Sequence, residues 1–397
     1  MSQRKALKII VIAQFLGTSL WFAGNAAAPQ FSAVLGEENL IGWITSAVQF
    51  GFILGTLTFA IFSIPDRYKP SDVFFFSAVM AAAFNLLLAV IPPSFWVLIS
   101  GRFLVGFFLA GIYPVGMKIA ADYFEKGLGM ALGFLVGALV LGTASPHLIA
   151  SLDFNVSWKL IFWSTSLFAI LGGAMVGFFV PDGPYRKPLG QFDWNLIPSL
   201  LKIDSLKSAA TGYFGHMWEL YTFWAFCPAL ILYFQDGSNP SNLTSFIAFS
   251  VIGIGGISCA IGGWFSEKYS SRSVALFALA GSGICCLAVL LIPEGSIWIW
   301  ISFLLIWGIL VTADSPQFST LVAQSVPAEF KGTALTLVNC AGFALTIFSI
   351  ALADFLLGKL EIQEILALLA IGPVFGIVGF LYFDKKKRLS TKASSSI

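Results

Sequence analysis

Along this chain, long apolar runs alternate with short polar segments. A helix needs about 20 residues to cross the hydrocarbon of a bilayer. Runs of about that length fall at 8–30, 40–63, 72–92, 95–117, 128–151, 159–180, 208–233, 243–265, 273–292, 297–322, 333–357 and 363–383. The pattern predicts an all-α membrane protein of twelve transmembrane helices, numbered here as spans one to twelve. The first run exceeds signal-peptide length and lacks an A-x-A site before a soluble domain, so it reads as a retained span. The last run is followed by "DKKKRLSTKASSSI", which is polar and basic and is expected to lack fixed structure.

Composition agrees with this reading. Hydrophobic residues make up 58% of the 397 and charged residues 11%, where a soluble domain carries about 25% charged. The mean hydropathy is +0.88. Water could not solvate so much apolar surface, which points to lipid as the surrounding medium. The formal net charge of +2 gives no sign of a nucleic-acid partner. Cys227, Cys259, Cys285, Cys286 and Cys340 all lie in apolar runs without ligand spacing. That predicts no disulfide, zinc or redox centre.

The placement of the charges orients the chain. Of 22 Lys and Arg residues, Lys159 and Lys359 alone fall in connections on one side, and Arg102 alone lies inside a span. The other 19 share the opposite side, and they include Lys126, Lys187, Lys387, Arg388 and Lys392. Cytoplasmic connections concentrate Lys and Arg, so both termini are expected in the cytoplasm.

The longest connection, 181–207, is rich in Pro, Gly and charge, as a linker would be. It divides the chain into a bundle of six spans (1–180), the linker (181–207), a second bundle of six (208–384) and a basic cytoplasmic tail (385–397). The halves also repeat each other. "SIPDRYKPSDV" follows span two and "GGWFSEKYSSRSV" follows span eight. Each sets an acid–base pair (Asp66-Arg67, Glu267-Lys268) two residues before a tyrosine, counting from the acid. Lys126-Gly127 and Lys331-Gly332 correspond as well, each with a glycine ten residues on, Gly137 and Gly342.

On these residues the chain resembles the major facilitator superfamily of secondary transporters. The turn bearing Asp66-Arg67 looks like that superfamily's loop signature, and Glu267-Lys268 with Arg272 looks like its echo. "GRFLVGFFLAGIYPVGMKIAADYF" resembles its span-four motif, which opens on an arginine, here Arg102. The resemblance implies two bundles that rock about a midplane site. Spans one, four, seven and ten would line the cavity, and Asp66, Arg67, Glu267 and Arg272 would gate it.

Ionisable side chains are costly at a helix centre, about 2.5–3.5 kcal/mol on insertion scales. Arg102, His147, His216, Glu219 and Asp314 lie within spans, and Asp354 lies near the outer end of span eleven. Spans three, six, nine and twelve carry none, so the charges fall where a wet path would run. On span seven, residues three or four apart share a face. Gly212, Gly215, His216, Glu219, Thr222 and Phe223 form a small polar face. Phe214, Met217, Trp218, Tyr221 and Trp224 form a bulky face suited to packing. Gly212 and Gly215 would let another backbone or a ligand approach.

Histidine titrates near neutrality, which makes His216 with Glu219 a candidate pair for proton coupling. A structural pair, or two ligands of a divalent metal, are the other readings. Asp314 sits beside Pro316, whose missing N–H predicts a bend or break with exposed backbone. Proton coupling is accordingly expected of Glu219, His216, Asp314 and His147. Substrate binding is expected of Arg102, Trp21, Asn25, Gln49, Tyr113, Trp218, Gln317 and Asn339, with Gln14 a further polar group of the cavity. Arg102 would meet a substrate anion or an internal acid.

The chain has no G-x-x-x-x-G-K-[ST] loop, so ATP does not drive it within this chain. Nothing but H-x-x-E hints at an enzyme, and no metal or cofactor is implied. The leading expectation is a monomeric, proton-coupled transporter of a small polar organic solute, spanning a bacterial cytoplasmic membrane. The alternatives are a proton-driven multidrug or cation efflux antiporter, an uncoupled facilitator, or a metal transporter using His216 and Glu219.

Overall fold

The computed structural model describes residues 1–37, 40–124, 127–152, 157–186, 192–235, 241–293, 296–327 and 330–395, with side chains through residue 386. Lys126 and Lys187, and the side chains of Lys387, Arg388 and Lys392, lie outside what is described.

Lipid cannot hydrogen-bond a backbone, so a segment that crosses it must satisfy its own N–H and C=O groups. The described chain meets this demand with twelve helices long and apolar enough to cross a membrane. They are Gln3–Leu35, Leu40–Ile61, Pro70–Val90, Phe95–Tyr123, Leu128–Ala150, Trp158–Phe179, Asp204–Phe234, Asn242–Tyr269, Ser271–Leu291, Ile297–Gln324, Lys331–Leu356 and Ile362–Lys386. These match the twelve hydrophobic runs. The last helix continues to Ser395, so the tail expected to lack structure begins as helix. With twelve alternating spans both termini share one end of the bundle, called here the terminal end.

Three spans are interrupted midway. Span one breaks between Thr18 and Ala23, span four between Leu109 and Tyr113, and span ten at Asp314. In spans four and ten a proline opens the second segment, Pro114 and Pro316, where its missing N–H leaves no bond unmade. Span one has no proline at its break. Span seven runs unbroken through Pro228.

The halves meet along two helix pairs. Spans five and eight approach through glycine: a Cβ added at Gly137 would stand 2.5 Å from the Gly256 carbonyl oxygen. These residues lie near the middle of both spans, and the contact continues toward the terminal end, where a Cβ on Gly133 would stand 3.3 Å from the Cys259 carbonyl oxygen. Spans two and eleven meet at the other end, where a Cβ on Gly42 would stand 2.7 Å from Cγ of Asp354. Small residues at such crossings let backbones come close where lipid supplies no hydrophobic drive.

The paired loops differ in structure. After span two, a short helix, Ile64–Arg67, holds Asp66 2.8 Å from the buried Lys118 ammonium of span four. After span eight the helix itself continues to Tyr269, leaving Glu267 exposed. Arg272 pairs instead with Asp384 at 2.7 Å. Arg67 is exposed.

Candidate functional site

The breaks and the two helix crossings surround a small cavity at the middle of the bundle. Tyr113 reaches it from the span-four break, Tyr213, Tyr221 and Trp224 from span seven, and Asn339 and Phe343 from span eleven. Thr312 and Ser315, on either side of Asp314, complete the span-ten wall. The cavity holds about 20 Å³, room for about one water. The Tyr213 hydroxyl donates to Oδ1 of Asn339, joining spans seven and eleven. Trp21, in the span-one break, stacks on Tyr221 at 5.9 Å and on Phe343 at 5.7 Å between ring centroids. Phe22 meets Tyr221, Trp224 and His147 edge-on. Aromatic rings from both halves thus close over the cavity. Three of the expected binding residues gather here, Tyr113, Asn339 and Trp21.

Beside this wall, span seven meets the span-ten break. His216 and Asp314 are fully buried, with Nδ1 2.8 Å from Oδ1, though the geometry falls short of a well-formed hydrogen bond. Nε2 of His216 and Oδ2 of Asp314 have no hydrogen-bond partner among the described residues. Asp314 does not cap the following segment with its side chain. Its carbonyl accepts from Gln317 and Phe318, which leaves the carboxylate for the imidazole. An acid and an imidazole thus face each other between two helices, shut away from water.

Glu219 has different neighbours. Its carboxylate accepts from Trp307 Nε1 at 2.7 Å, Ser282 Oγ at 2.8 Å and Cys286 Sγ at 3.3 Å. Those donors belong to spans nine and ten, so Glu219 points into the second half and not into the cavity. His216 and Glu219 share a helix face, as the spacing predicts, but not a site. As a metal pair they are separated by their own partners, and no cluster of three potential ligands occurs among the described residues.

The glycine-bearing face of span seven is also a helix contact. A Cβ on Gly215 would strike the Gly372 carbonyl oxygen, and one on Gly372 would stand 2.7 Å from Cδ1 of Trp218. Span twelve therefore covers this face, and Trp218 packs on it instead of reaching the cavity. The cavity is met by the bulky stripe Tyr213, Met217, Leu220, Tyr221 and Trp224, which sequence reasoning assigned largely to packing. The readable signal was on span twelve, where Gly372, Gly376 and Gly379 form a small stripe that fits the glycines of span seven.

Arg102 meets neither a free cavity nor an acid. Its guanidinium donates to the carbonyls of Leu20, at 2.8 Å, and Trp21, both freed by the span-one break, and to Oδ1 of Asn85 at 3.0 Å. Asn85 in turn donates to the Phe162 carbonyl, Thr165 and Ser166. Nε alone lacks a partner. Asn25 donates to Thr45 at 2.7 Å and leaves its oxygen unpaired. Gln14 and Gln49 are buried with both amide atoms unpaired, as is Nε2 of His147. Gln317 is buried beside the span-ten break. Asn25, Gln49, Gln317, His147 and Arg102 are not among the residues lining the cavity.

Comparison with known proteins follows the same lines. The model of the Major Facilitator Superfamily matches residues 10–351 and, separately, 210–396. Over 245 residues the chain is 27% identical to the "Probable nitrate/nitrite transporter NarK2" of Mycobacterium tuberculosis. That alignment spans 58% of this chain and 58% of the relative, less than two thirds of its length. Over 396 residues the chain is 24% identical to the "Uncharacterized MFS-type transporter YcxA" of Bacillus subtilis, covering 92% and 91% of the two chains. A crystal structure of a bacterial homolog to the human lysosomal transporter Spinster, inward-facing and occupied, superposes over 97% of both chains. Its TM-score is 0.71 at 14% identity, a likeness of fold.

Proposed function

The chain belongs to the Major Facilitator Superfamily and is an integral, multi-pass membrane transporter, not an enzyme; from that premise we propose that it moves a small polar organic solute by proton-coupled alternating access. The observation that carries this reading is the buried His216–Asp314 pair at the span-ten break, one wall away from the central cavity. Protonation of the pair would remove a buried charge from the junction of spans seven and ten. Solute binding and helix movement would then be linked to proton uptake through Tyr213, which lies one turn before the imidazole on span seven and holds Asn339.

The lining favours an uncharged or cationic organic solute. Tyrosine, tryptophan, asparagine and phenylalanine supply stacking faces and hydroxyl and amide groups, and aromatic faces attract cations. An inorganic anion, the cargo named for the mycobacterial relative, would need a cation in the cavity. The guanidinium of Arg102 is engaged with Leu20, Trp21 and Asn85. We assign Arg102 to holding the span-one break and Glu219 to joining spans seven, nine and ten. We also place both termini in the cytoplasm of a bacterial inner membrane, on the Lys/Arg asymmetry, with the monomer as the working unit.

The test is solute accumulation in proteoliposomes under an imposed pH gradient, with solutes chosen by thermal-shift screening of neutral and cationic metabolites. Asp314→Asn is expected to abolish gradient-driven accumulation and to keep solute counterflow. Undiminished accumulation by Asp314→Asn would remove the pair from coupling. Nitrate uptake with no organic cargo would replace the proposed substrate class.

A further inference from the structure

On the outer flank of the second half, spans eight, nine and ten leave a groove of about 760 Å³. Its volume is within the usual range for ligand sites, about 300–1,000 Å³. Ile257, Ile261, Phe265 and Phe277 line it and are 55%, 49%, 39% and 75% exposed, so the groove opens to the membrane and not to the transport path. On span eight the lining runs from Ile254 to Tyr269, about 22 Å at the helical rise. One leaflet of hydrocarbon is about 15 Å thick, so the groove begins at the terminal end and reaches beyond the middle of the membrane.

Its mouth is flanked by an exposed cation, Lys268. The Lys268 ammonium lies 5.1 Å above the ring of Tyr269, which itself lines the groove. Among the described residues no carboxylate forms an ion pair with Lys268, whereas Arg272 nearby is taken by Asp384. An apolar channel that spans a leaflet and opens to the hydrocarbon, with an exposed cation on the aromatic ring at its mouth, fits the shape and complements the charge of an anionic phospholipid. We propose that the groove binds an anionic phospholipid, one acyl chain lying along Ile257, Ile261 and Phe265 and the headgroup phosphate at Lys268. The groove floor includes Gly262 and Ala313, and a Cβ on Gly262 would stand 3.0 Å from the Ala313 carbonyl oxygen. The chain therefore lies against the span-ten break, on the side opposite the cavity, and braces the bend that carries Asp314.

The test uses the full chain, purified in detergent, stripped of lipid and titrated with dioleoyl phosphatidylglycerol or dioleoyl phosphatidylcholine. Melting temperature and lipid retention in native mass spectrometry are the readouts. Phosphatidylglycerol is expected to raise the melting temperature more than phosphatidylcholine does, with one molecule retained. Lys268→Gln should weaken phosphatidylglycerol binding about fivefold, the effect of removing one basic residue near an anionic lipid surface, and leave phosphatidylcholine unchanged. Ile261→Trp, which fills the groove, should remove the phosphatidylglycerol shift. Equal shifts from both lipids in the unaltered protein, or a phosphatidylglycerol shift that survives Lys268→Gln, would overturn the proposal. Lys268 is exposed, so that variant decides the matter even if Ile261→Trp does not fold.

Discussion

His216 Nδ1 lies 2.8 Å from Oδ1 of Asp314, and the two side chains together close the junction between span seven and the span-ten break. Removing one member of a buried pair strands the other, which typically costs about 3–5 kcal/mol, whereas replacing both by apolar groups costs far less. His216→Leu is therefore expected to lower the melting temperature of the purified protein strongly. The double variant His216→Leu/Asp314→Leu is expected to recover most of that loss while remaining unable to accumulate solute against a pH gradient. Additive losses in the double variant would mean that the two side chains do not act as a pair.

Arg102 gives a second prediction, which separates a structural from a binding role. Its planar fork reaches the Leu20 and Trp21 carbonyls and Asn85 at once, a geometry that a lysine ammonium cannot reproduce. Hydrogen bonds to a charged group contribute about 1.5–3 kcal/mol each. Arg102→Lys should lose at least one of them and melt earlier in the absence of any solute. If Arg102 were instead a substrate anchor, the variant would melt normally and show only weakened solute binding.

Glu219→Gln tests the separation of the two span-seven residues. The carboxylate accepts from Trp307, Ser282 and Cys286, and an amide offers only one acceptor oxygen in its place. The variant is expected to melt earlier, by the about 1–3 kcal/mol of a buried donor left unpaired, and to retain gradient-driven accumulation. Loss of accumulation with an unchanged melting temperature would return Glu219 to the coupling machinery.

These contrasts mark where sequence reasoning succeeds and where it stops. The twelve spans are legible because lipid forces every crossing segment to be a long apolar helix. The span-ten break is legible from Pro316, while the span-one break has no such residue and emerges only from Arg102 binding the freed carbonyls of Leu20 and Trp21. The identities of the buried ionisable residues are also legible, because each is costly in lipid. Their neighbours are not. His216 and Glu219 share one face of span seven, but His216 meets the span-ten break at Asp314, while Glu219 lies one turn away among Trp307 of span ten and Ser282 and Cys286 of span nine. Polarity was read as a sign of the cavity, yet the polar, glycine-bearing face is buried between helices, and the aromatic stripe beside it meets the cavity. Helical spacing defines a face and leaves open which neighbour covers it.

The two crossings between halves can each be opened by a single substitution. Near the middle of spans five and eight, any Cβ at Gly137 meets the Gly256 backbone carbonyl, and backbone cannot turn aside as a side-chain tip does. Gly137→Val should force spans five and eight apart. At the end away from the termini, Gly42 lies in the first turn of span two beneath the Asp354 carboxylate of span eleven, whose Oδ1 is buried and unpaired among the described residues. The positive end of the helix dipole favours a carboxylate over a helix amino end. Gly42→Val should displace it and separate spans two and eleven. Spin-label distances across each crossing, in the same detergent, read both effects. Gly137→Val is expected to lengthen the five–eight distance and Gly42→Val the two–eleven distance, each with little change at the opposite crossing. If both variants lengthened both distances together, the two crossings would not act as separate gates.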